Sequence, residues 1–149
     1  MIRSRDAATR GIDNSAPVDA FNNLVRLCDQ ILEPLRNSIS KPINVTSGFR
    51  CPALNAIVGG EKDSDHLVGR AADIVVAGMT TEELASAVKV LSKYVPLKQC
   101  IVEFPKSPDG GWVHVSCTPL NVHAGYFEPE FLVANRVNGE KKYTPWEPS

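Results

Sequence analysis

Several features are missing from this sequence, and each absence argues against a class of protein. The 149 residues contain no run of about 18 apolar residues, so we predict no membrane-spanning helix. The formal net charge is only −1 and the basic residues are scattered, so we expect no nucleic-acid partner. The densest basic cluster, Lys141–Lys142, is explained by a solvated surface. Only three histidines occur, and two of them stand in or beside predicted apolar strands.

The sequence also lacks the cysteine spacing of metal-binding and redox sites. Cys28, Cys51, Cys100 and Cys117 are far apart and form no C-x-x-C pair, which argues against a zinc ribbon or a thioredoxin-like centre. Residues 1–6 are followed by no apolar stretch, so we expect no secretory signal. Buried, reduced thiols are then the simplest interpretation. Cys100 and Cys117 fall on two predicted neighbouring strands, and the sequence leaves open whether they are bonded.

The overall amino-acid composition is typical of a folded protein. The chain is 43% hydrophobic and 22% charged, and its length is sufficient to bury a core. No internal repeat or low-complexity segment divides it, so we predict a single domain over residues 1–149. Residues 1–14 are polar, and we predict that they are irregular.

Apolar spacing predicts a mixture of helices and strands. After Pro17, apolar residues recur every three or four positions as far as Leu35, which predicts a helix that Pro34 kinks or ends. A capping box at 80–83 opens a second long helix. We also predict a short helix over 52–58 and strands over 42–46, 69–76, 99–104 and 112–117. The last two strands form a hairpin and the tail 118–149 shows little periodicity, so we predict an α+β fold with a small antiparallel sheet and flanking helices.

One histidine and one aspartate flank the predicted strand over 69–76. His66 precedes this strand, and Asp73 comes immediately before its apolar run Ile74–Val76. A carboxylate in such a place is costly to bury unless it is paired or bound to a metal. The small residues at 69–72 allow the loop to fold back and bring His66 toward Asp73.

The second notable histidine, His114, lies within the predicted strand over 112–117. Alternation along this strand places Trp112, His114 and Ser116 on one face and Val113, Val115 and Cys117 on the other. Two imidazoles and one carboxylate are a hydrolytic zinc set that leaves a fourth position for water. On spacing alone, His114 can also be a hydrogen-bonded core residue, and Asp73 can cap a turn. His123 lies in a loop without rigid support and is a less favoured ligand.

Glu103 is the only charged residue within the apolar strand segment 100–104. If it shares a face with His114, its carboxylate stands where a general base is needed beside a metal-bound water. That arrangement requires Glu103 to pair with an even-numbered residue of the second strand. The alternative is an exposed position on an edge strand.

Four blocks of sequence, in this order, carry a resemblance to a known family. They are Ser47-Gly48-Phe49-Arg50, Leu54-Asn55 with Val58-Gly59-Gly60, Ser64 to Asp73, and Trp112 to Ser116. The third block matches an S-x-H-x-x-G-x-A-x-D element through Ser64, His66, Gly69, Ala71 and Asp73. The chain thereby resembles the zinc D-Ala-D-Ala peptidases (peptidase family M15). This family includes D-Ala-D-Ala carboxypeptidases, dipeptidases and the L-alanyl-D-glutamate endopeptidases of phage lysins.

The resemblance implies a hedgehog/D-Ala-D-Ala peptidase-like fold with a zinc site on the face of the sheet. It implies three ligands for Zn²⁺, namely His66, Asp73 and His114. It implies that Arg50 holds a substrate carboxylate or carbonyl, and that Ser64 binds substrate or supports the metal site. Glu103 matches the general base of the family branch that carries a glutamate on the preceding strand, and Asp109 is a nearby alternative.

Two positions depart from the family pattern without removing a ligand. Asp65 stands where an uncharged residue, often Gln, is common, and it adds a negative charge near the metal. Phe49 stands where Tyr is frequent, so a hydroxyl is missing.

The implied function is zinc-dependent hydrolysis of an amide bond in peptidoglycan stem peptides, with a lysin-type endopeptidase favoured. One alternative is a D-Ala-D-Ala carboxypeptidase or dipeptidase, and a pocket closed at both ends would indicate the dipeptidase. Another is a non-catalytic, zinc-stabilised virion module that binds cell wall, which a fourth ligand such as His123 or a cysteine would indicate. We expect a monomer, made in the cytoplasm, that acts at the cell wall or periplasm after phage-type release or as part of a virion.

Overall fold

A computed structural model of the chain describes residues 4–121 and 127–148, so His123 lies outside the described residues. The helices within these ranges are α1 (Arg5–Thr9), α2 (Val18–Leu27), α3 (Glu33–Ile39), α4 (Pro52–Ile57) and α5 (Thr81–Leu91). The strands are β1 (Asn44–Ser47), β2 (Ala71–Val75), β3 (Leu97–Glu103), β4 (Trp112–Cys117), β5 (Glu130–Val137) and β6 (Glu140–Pro145). A π-helical turn spans Cys28–Leu32, and a 3-10 turn spans Asp65–Val68. None of the described helices is long and apolar enough to cross a membrane.

The six strands form one sheet in the order β1-β2-β4-β3-β5-β6, which confirms the α+β class. Four neighbouring pairs are antiparallel, but β5 pairs with β3 in parallel, so the prediction of an antiparallel sheet is wrong in this respect. The chain turns back after β4 and runs antiparallel to it. Both edges of β4 are already occupied, by β2 and β3, so β5 takes the next free edge, which is the outer edge of β3.

One face of the sheet forms the core with the helices. Helix α5 packs on β3, β4 and α3, and the alternating residues of the strands that point this way are apolar. They include Ala72, Ile74, Cys100, Val102, Val113, Val115 and Cys117, which pack with Leu27, Ile31 and Leu35. The opposite face of the same strands carries Asp73, Glu103 and His114. The alternation predicted for β4 is therefore confirmed. It places the core residues on one face of the sheet and the candidate site residues on the other.

The sequence predicts that Pro34 kinks or ends the long N-terminal helix, and the second alternative is wrong because the helix does not end there. Helix α2 continues through the π-helical turn Cys28–Leu32 into α3, where Pro34 stands in the first turn. The backbone N–H of Glu33 donates to the carbonyl of Cys28, which is the wider spacing of a π-helical turn. Proline has no N–H to donate, and its ring crowds the preceding turn of an α-helix. The wider π-helical turn accommodates it, so the chain stays helical.

Two further predictions are corrected, at the two ends of the chain. Residues 1–14 are not wholly irregular, because α1 spans Arg5–Thr9 and the Ser4 side chain caps it. The tail, where the sequence shows little periodicity and we predict no strand, contains the hairpin of β5 and β6. Its turn contains Asn138 and Gly139, both with positive φ (53° and 83°), which is the two-residue Asn-Gly turn of tight hairpins.

Several local predictions are confirmed. Thr80 and Glu83 form the capping box of α5, with hydrogen bonds of 3.1 and 2.8 Å between each side chain and the other residue's backbone N–H. The hairpin of β3 and β4 is antiparallel as predicted. All four cysteines lie within the described residues, and none of them forms a disulfide bond. Cys100 pairs with Val115 rather than with Cys117, so the two buried thiols are not directly opposite one another.

Candidate metal centre

His66 is positioned by the 3-10 turn Asp65–Val68. Ser64 caps this turn, and its hydroxyl accepts a hydrogen bond of 3.4 Å from the backbone N–H of His66. Gly69 ends the turn in the left-handed conformation at φ 72°, and a Cβ there would lie 2.2 Å from the carbonyl oxygen of Ala20. Only glycine fits both requirements. The reversal from the turn into β2 therefore depends on this residue, as the small residues at 69–72 predict.

The sheet brings Asp73 and His114 together, because they are direct partners across β2 and β4. His66 Nε2 lies 3.1 Å from Asp73 Oδ1, and His114 Nδ1 lies 3.0 Å from the same oxygen. The two ring nitrogens are 3.2 Å apart. All three side chains are buried. The residues that the sequence proposes as ligands thus meet in one place, which we call the donor triangle.

A backbone carbonyl fixes the orientation of the His66 ring. His66 Nδ1 lies 2.6 Å from the oxygen of Gly48. A carbonyl can only accept, so Nδ1 carries the proton, and in the neutral ring Nε2 is left with a free lone pair toward Asp73 and His114. A metal-binding histidine is commonly oriented in this way by a partner on its other nitrogen.

The donor triangle has the dimensions of a zinc site. Its edges measure 3.0 to 3.2 Å. In a tetrahedral site with ligand distances of about 2.0–2.1 Å, ligand atoms lie roughly 3.3 Å apart. The three donors therefore fit Zn²⁺ as one face of a tetrahedron, with the fourth position left for water. No cysteine and no fourth acidic or histidine side chain joins this group within residues 4–121 and 127–148.

The side chain of Asp73 is in the ionised form that binding a metal ion requires. Burial acts to raise the pKa of Asp73, but the contacts of its carboxylate with His114 and His66 outweigh that effect, so the pKa lies well below its ordinary range. The carboxylate is therefore ionised at neutral pH. The guanidinium of Arg50 adds a further positive charge, with Nη1 3.9 Å from Asp73 Oδ2.

Arg50 lines the site, and its guanidinium keeps an N–H group that has no hydrogen-bond partner among the described residues. Its side chain is 16% exposed, and its buried Nε has no hydrogen-bond partner among the residues that the structure describes. Burial acts to lower the pKa of Arg50, and the charges of Asp73 and Glu103 act to raise it. A planar guanidinium with free N–H groups is suited to a carboxylate or carbonyl of a ligand.

Asp65 does not carry its charge toward the metal. It is buried, and its carboxylate pairs with Arg70 at 3.1 Å and with Lys98 Nζ at 2.6 Å. These two cations offset the negative charge that distinguishes this position from the family pattern. The other departure, Phe49, is buried in a small cluster with Ala20 and Leu24, which packs α2 against the segment that carries Arg50.

Glu103 lies on the same sheet face as the donor triangle. It pairs with Trp112, an even-numbered residue, so the register condition for sharing the face of His114 is met. The alternative of an exposed edge position is wrong, because β3 lies inside the sheet and Glu103 is 5% exposed. Asp109, the other carboxylate considered as a base, is exposed and hydrogen-bonded to Ser107 and Gly111 within its own loop.

The sequence prediction missed Lys141. Its Nζ lies 2.7 Å from Glu103 Oε2, so it is not the solvated surface residue that we predicted. Its neighbour Lys142 is exposed, as expected. Nothing in the local pattern distinguishes these two lysines except their alternation along β6.

Two cavities adjoin the donor triangle. On one side lies a cavity of about 720 Å³, whose lining includes Glu103, His114 and Lys141. On the other side lies a cavity of about 490 Å³ between α1 and the loop that joins β3 to β4. Arg50, Val58, Asp73 and Trp112 line both cavities. The two cavities therefore meet at these four residues, beside the candidate metal centre.

Comparison with known proteins identifies the family of the chain. Residues 1–107 match the family described as Peptidase M15. The matched segment contains Arg50, His66, Asp73 and Glu103, and His114 follows it in β4. No curated protein matches the chain. The chain belongs to the peptidase M15 family, whose members are zinc-dependent metallopeptidases.

Proposed function

We propose that the protein is a zinc endopeptidase that hydrolyses an amide bond in the stem peptides of peptidoglycan. The observation that carries the proposal is the donor triangle, which lies on one sheet face together with the buried carboxylate of Glu103. Two imidazoles and one carboxylate leave an open metal position, which is the mark of a catalytic zinc site rather than a structural one.

Each residue of the site has a separate role in the proposed reaction. His66, Asp73 and His114 would hold Zn²⁺, which would act as a Lewis acid and would lower the pKa of a water molecule. Glu103 accepts the proton of the attacking water and returns it to the amine nitrogen of the leaving group. Arg50 holds a carboxylate or carbonyl of the substrate. We assign Ser64 to the support of the site, since its hydroxyl caps the turn that carries His66.

The shape of the cleft supports an endopeptidase. A dipeptidase would be suited by a pocket closed at both ends, and a carboxypeptidase needs room chiefly on one side of the scissile bond. Here, cavities of about 720 and 490 Å³ lie on either side of Arg50 and Asp73. Such a cleft accommodates peptide on both sides of the bond that is cut. A lysin-type enzyme, acting as a monomer at the cell wall after phage-type release, is the form of this activity that we propose by analogy.

A non-catalytic binding module is less well supported. A structural zinc site is closed by a fourth protein ligand and needs no neighbouring base. Glu103 is a buried carboxylate on the face of the donor triangle, which a purely structural role leaves unexplained.

The test is mass spectrometry of purified peptidoglycan fragments, of both diaminopimelate and lysine type, after incubation with zinc-loaded protein. Glu103→Gln and a chelated sample are the controls. We expect a new product that both controls lack, and its mass identifies the bond. Absence of any product while zinc stays bound contradicts the proposal and favours the binding module.

A further inference from the structure

We propose that Lys141 is a positioning residue that holds the carboxylate of Glu103 in place for its role as general base. The inference rests on the proposed function. It assigns a task to the C-terminal hairpin, which lies outside the segment that matches the peptidase family.

The sheet explains how Lys141 reaches Glu103 from two strands away. Glu103 pairs with Ala134 of β5, and Ala134 pairs with Tyr143 of β6. Lys141 pairs with Arg136, so it lies two residues along β6 from Tyr143 and on the same face. Ala134, with only a methyl group, separates the two strands on this face. The long lysine side chain therefore crosses β5 and brings Nζ to 2.7 Å from Glu103 Oε2.

The ammonium of Lys141 is confined from several directions. Its side chain is 28% exposed, and Nζ lies 5.6 Å from the centre of the Phe104 ring and 5.0 Å from that of Tyr143. Burial acts to lower the pKa of Lys141, but its contacts with the Glu103 and Tyr143 side chains outweigh that effect, and the pKa lies above its ordinary value. Lys141 is therefore charged at neutral pH. Among the described residues, Glu103 is the carboxylate within ion-pair distance of it.

This pairing makes the two oxygens of Glu103 unequal. Oε2 forms the ion pair with Lys141, so we assign Oε1 as the oxygen that takes the proton from the attacking water. An unpaired carboxylate would turn about its last torsion and exchange the two oxygens. A base held in one orientation loses less entropy on reaching the transition state, so the gain appears in kcat rather than in substrate affinity.

The test compares Lys141→Met with Lys141→Arg, using the exposed Lys142→Met as the matched control. The substrate is a purified peptidoglycan fragment that the zinc-loaded wild-type protein cleaves. We expect Lys141→Met to lower kcat roughly tenfold with KM within about twofold, since only a step after binding is affected. Lys141→Arg keeps the charge and restores most of kcat, and Lys142→Met behaves as wild type. Zinc content and the thermal unfolding midpoint are measured for every variant, and Lys141→Gln replaces Lys141→Met if the latter does not fold.

Unchanged kcat in Lys141→Met overturns the inference. A rise in KM at constant kcat also overturns it, because Lys141 would then bind substrate instead of Glu103. The proposed function is judged separately, by turnover that Glu103→Gln abolishes. Wild-type turnover that depends on Glu103 but not on Lys141 removes the inference alone, whereas absence of wild-type turnover removes both.

Discussion

Asn14 accepts, through its side-chain oxygen, a hydrogen bond of 2.8 Å from the backbone N–H of Cys51. Its side-chain nitrogen donates to the carbonyl of Phe49 at 3.0 Å. One buried side chain therefore holds the peptide groups on both sides of Arg50. The N-terminal segment, distant in sequence from the donor triangle, thereby fixes the backbone of the residue to which we assign substrate binding.

Asn14→Ala tests this arrangement. Loss of the side chain leaves the buried carbonyl of Phe49 and the half-buried N–H of Cys51 without this partner, so we expect the free energy of unfolding to fall by about 1–3 kcal/mol. Urea unfolding measures it, and Asn22→Ala, at an exposed position on α2, is the matched control with an expected change within about 0.5 kcal/mol. Equal stability of the two variants would show that the bonds of Asn14 contribute nothing.

A pair of glycines tests the reversal that positions His66. Gly69 and Gly59 have nearly the same φ, 72° and 70°, but only at Gly69 would a Cβ meet a neighbouring backbone atom, at 2.2 Å. Gly59→Ala carries conformational strain alone, which costs about 1 kcal/mol. Gly69→Ala adds the steric clash, so we expect a larger loss of stability in urea and weaker zinc binding. Indistinguishable unfolding curves and zinc contents would refute this explanation of Gly69.

Zinc removal tests the donor triangle without reference to activity. Zinc at about 100 times its dissociation constant stabilises a folded protein by about 2.7 kcal/mol, so a chelator is expected to lower the thermal midpoint. Asp73→Asn keeps the shape of the side chain but removes the anionic donor, so we expect it to lose stoichiometric zinc, as measured by elemental analysis. Asp109→Asn, at an exposed position, is the control and is expected to retain the metal. Full zinc content in Asp73→Asn would contradict the ligand assignment.

The cysteines offer a test of the core. Burial raises the pKa of the Cys100 thiol, and burial is also the largest cause of the raised pKa of Cys117. A raised pKa and lack of access both slow alkylation, so at pH 8 we expect iodoacetamide to modify half-buried Cys51 well before either residue. Mass spectrometry of tryptic peptides follows the three rates. Modification of Cys100 as fast as Cys51, or a disulfide between Cys100 and Cys117, would be incompatible with the structure.

The predictions that succeeded rest on local patterns. The capping box at Thr80 and the alternation along β4 each involve residues close in sequence, so their consequences can be derived without knowing the fold. The parity argument for Glu103 worked for the same reason, since a hairpin register links near neighbours. The meeting of His66 with His114 could not be derived from spacing, and it was the family resemblance that pointed to it.

The predictions that failed depend on long-range pairing or on weak signals. The parallel placement of β5 follows from which sheet edges are free, and no local pattern records that. Lys141 was misread for this reason, because its partner Glu103 lies across an intervening strand. The turn at Asn138-Gly139 did carry a hairpin signal, which the mixed composition of the tail concealed.

The strands β5 and β6 come last in the chain, so they are also the last part of the sheet to emerge during translation. The ribosome produces β3 and β4 before β5 exists, so the outer edge of β3 has no partner until the final hairpin has emerged. Until then, Glu103 lacks its partner strand β5 and the ion pair with Lys141. A nascent chain that ends before β5 consequently lacks part of the site that we propose, and it carries an open strand edge of the kind that folded proteins keep covered.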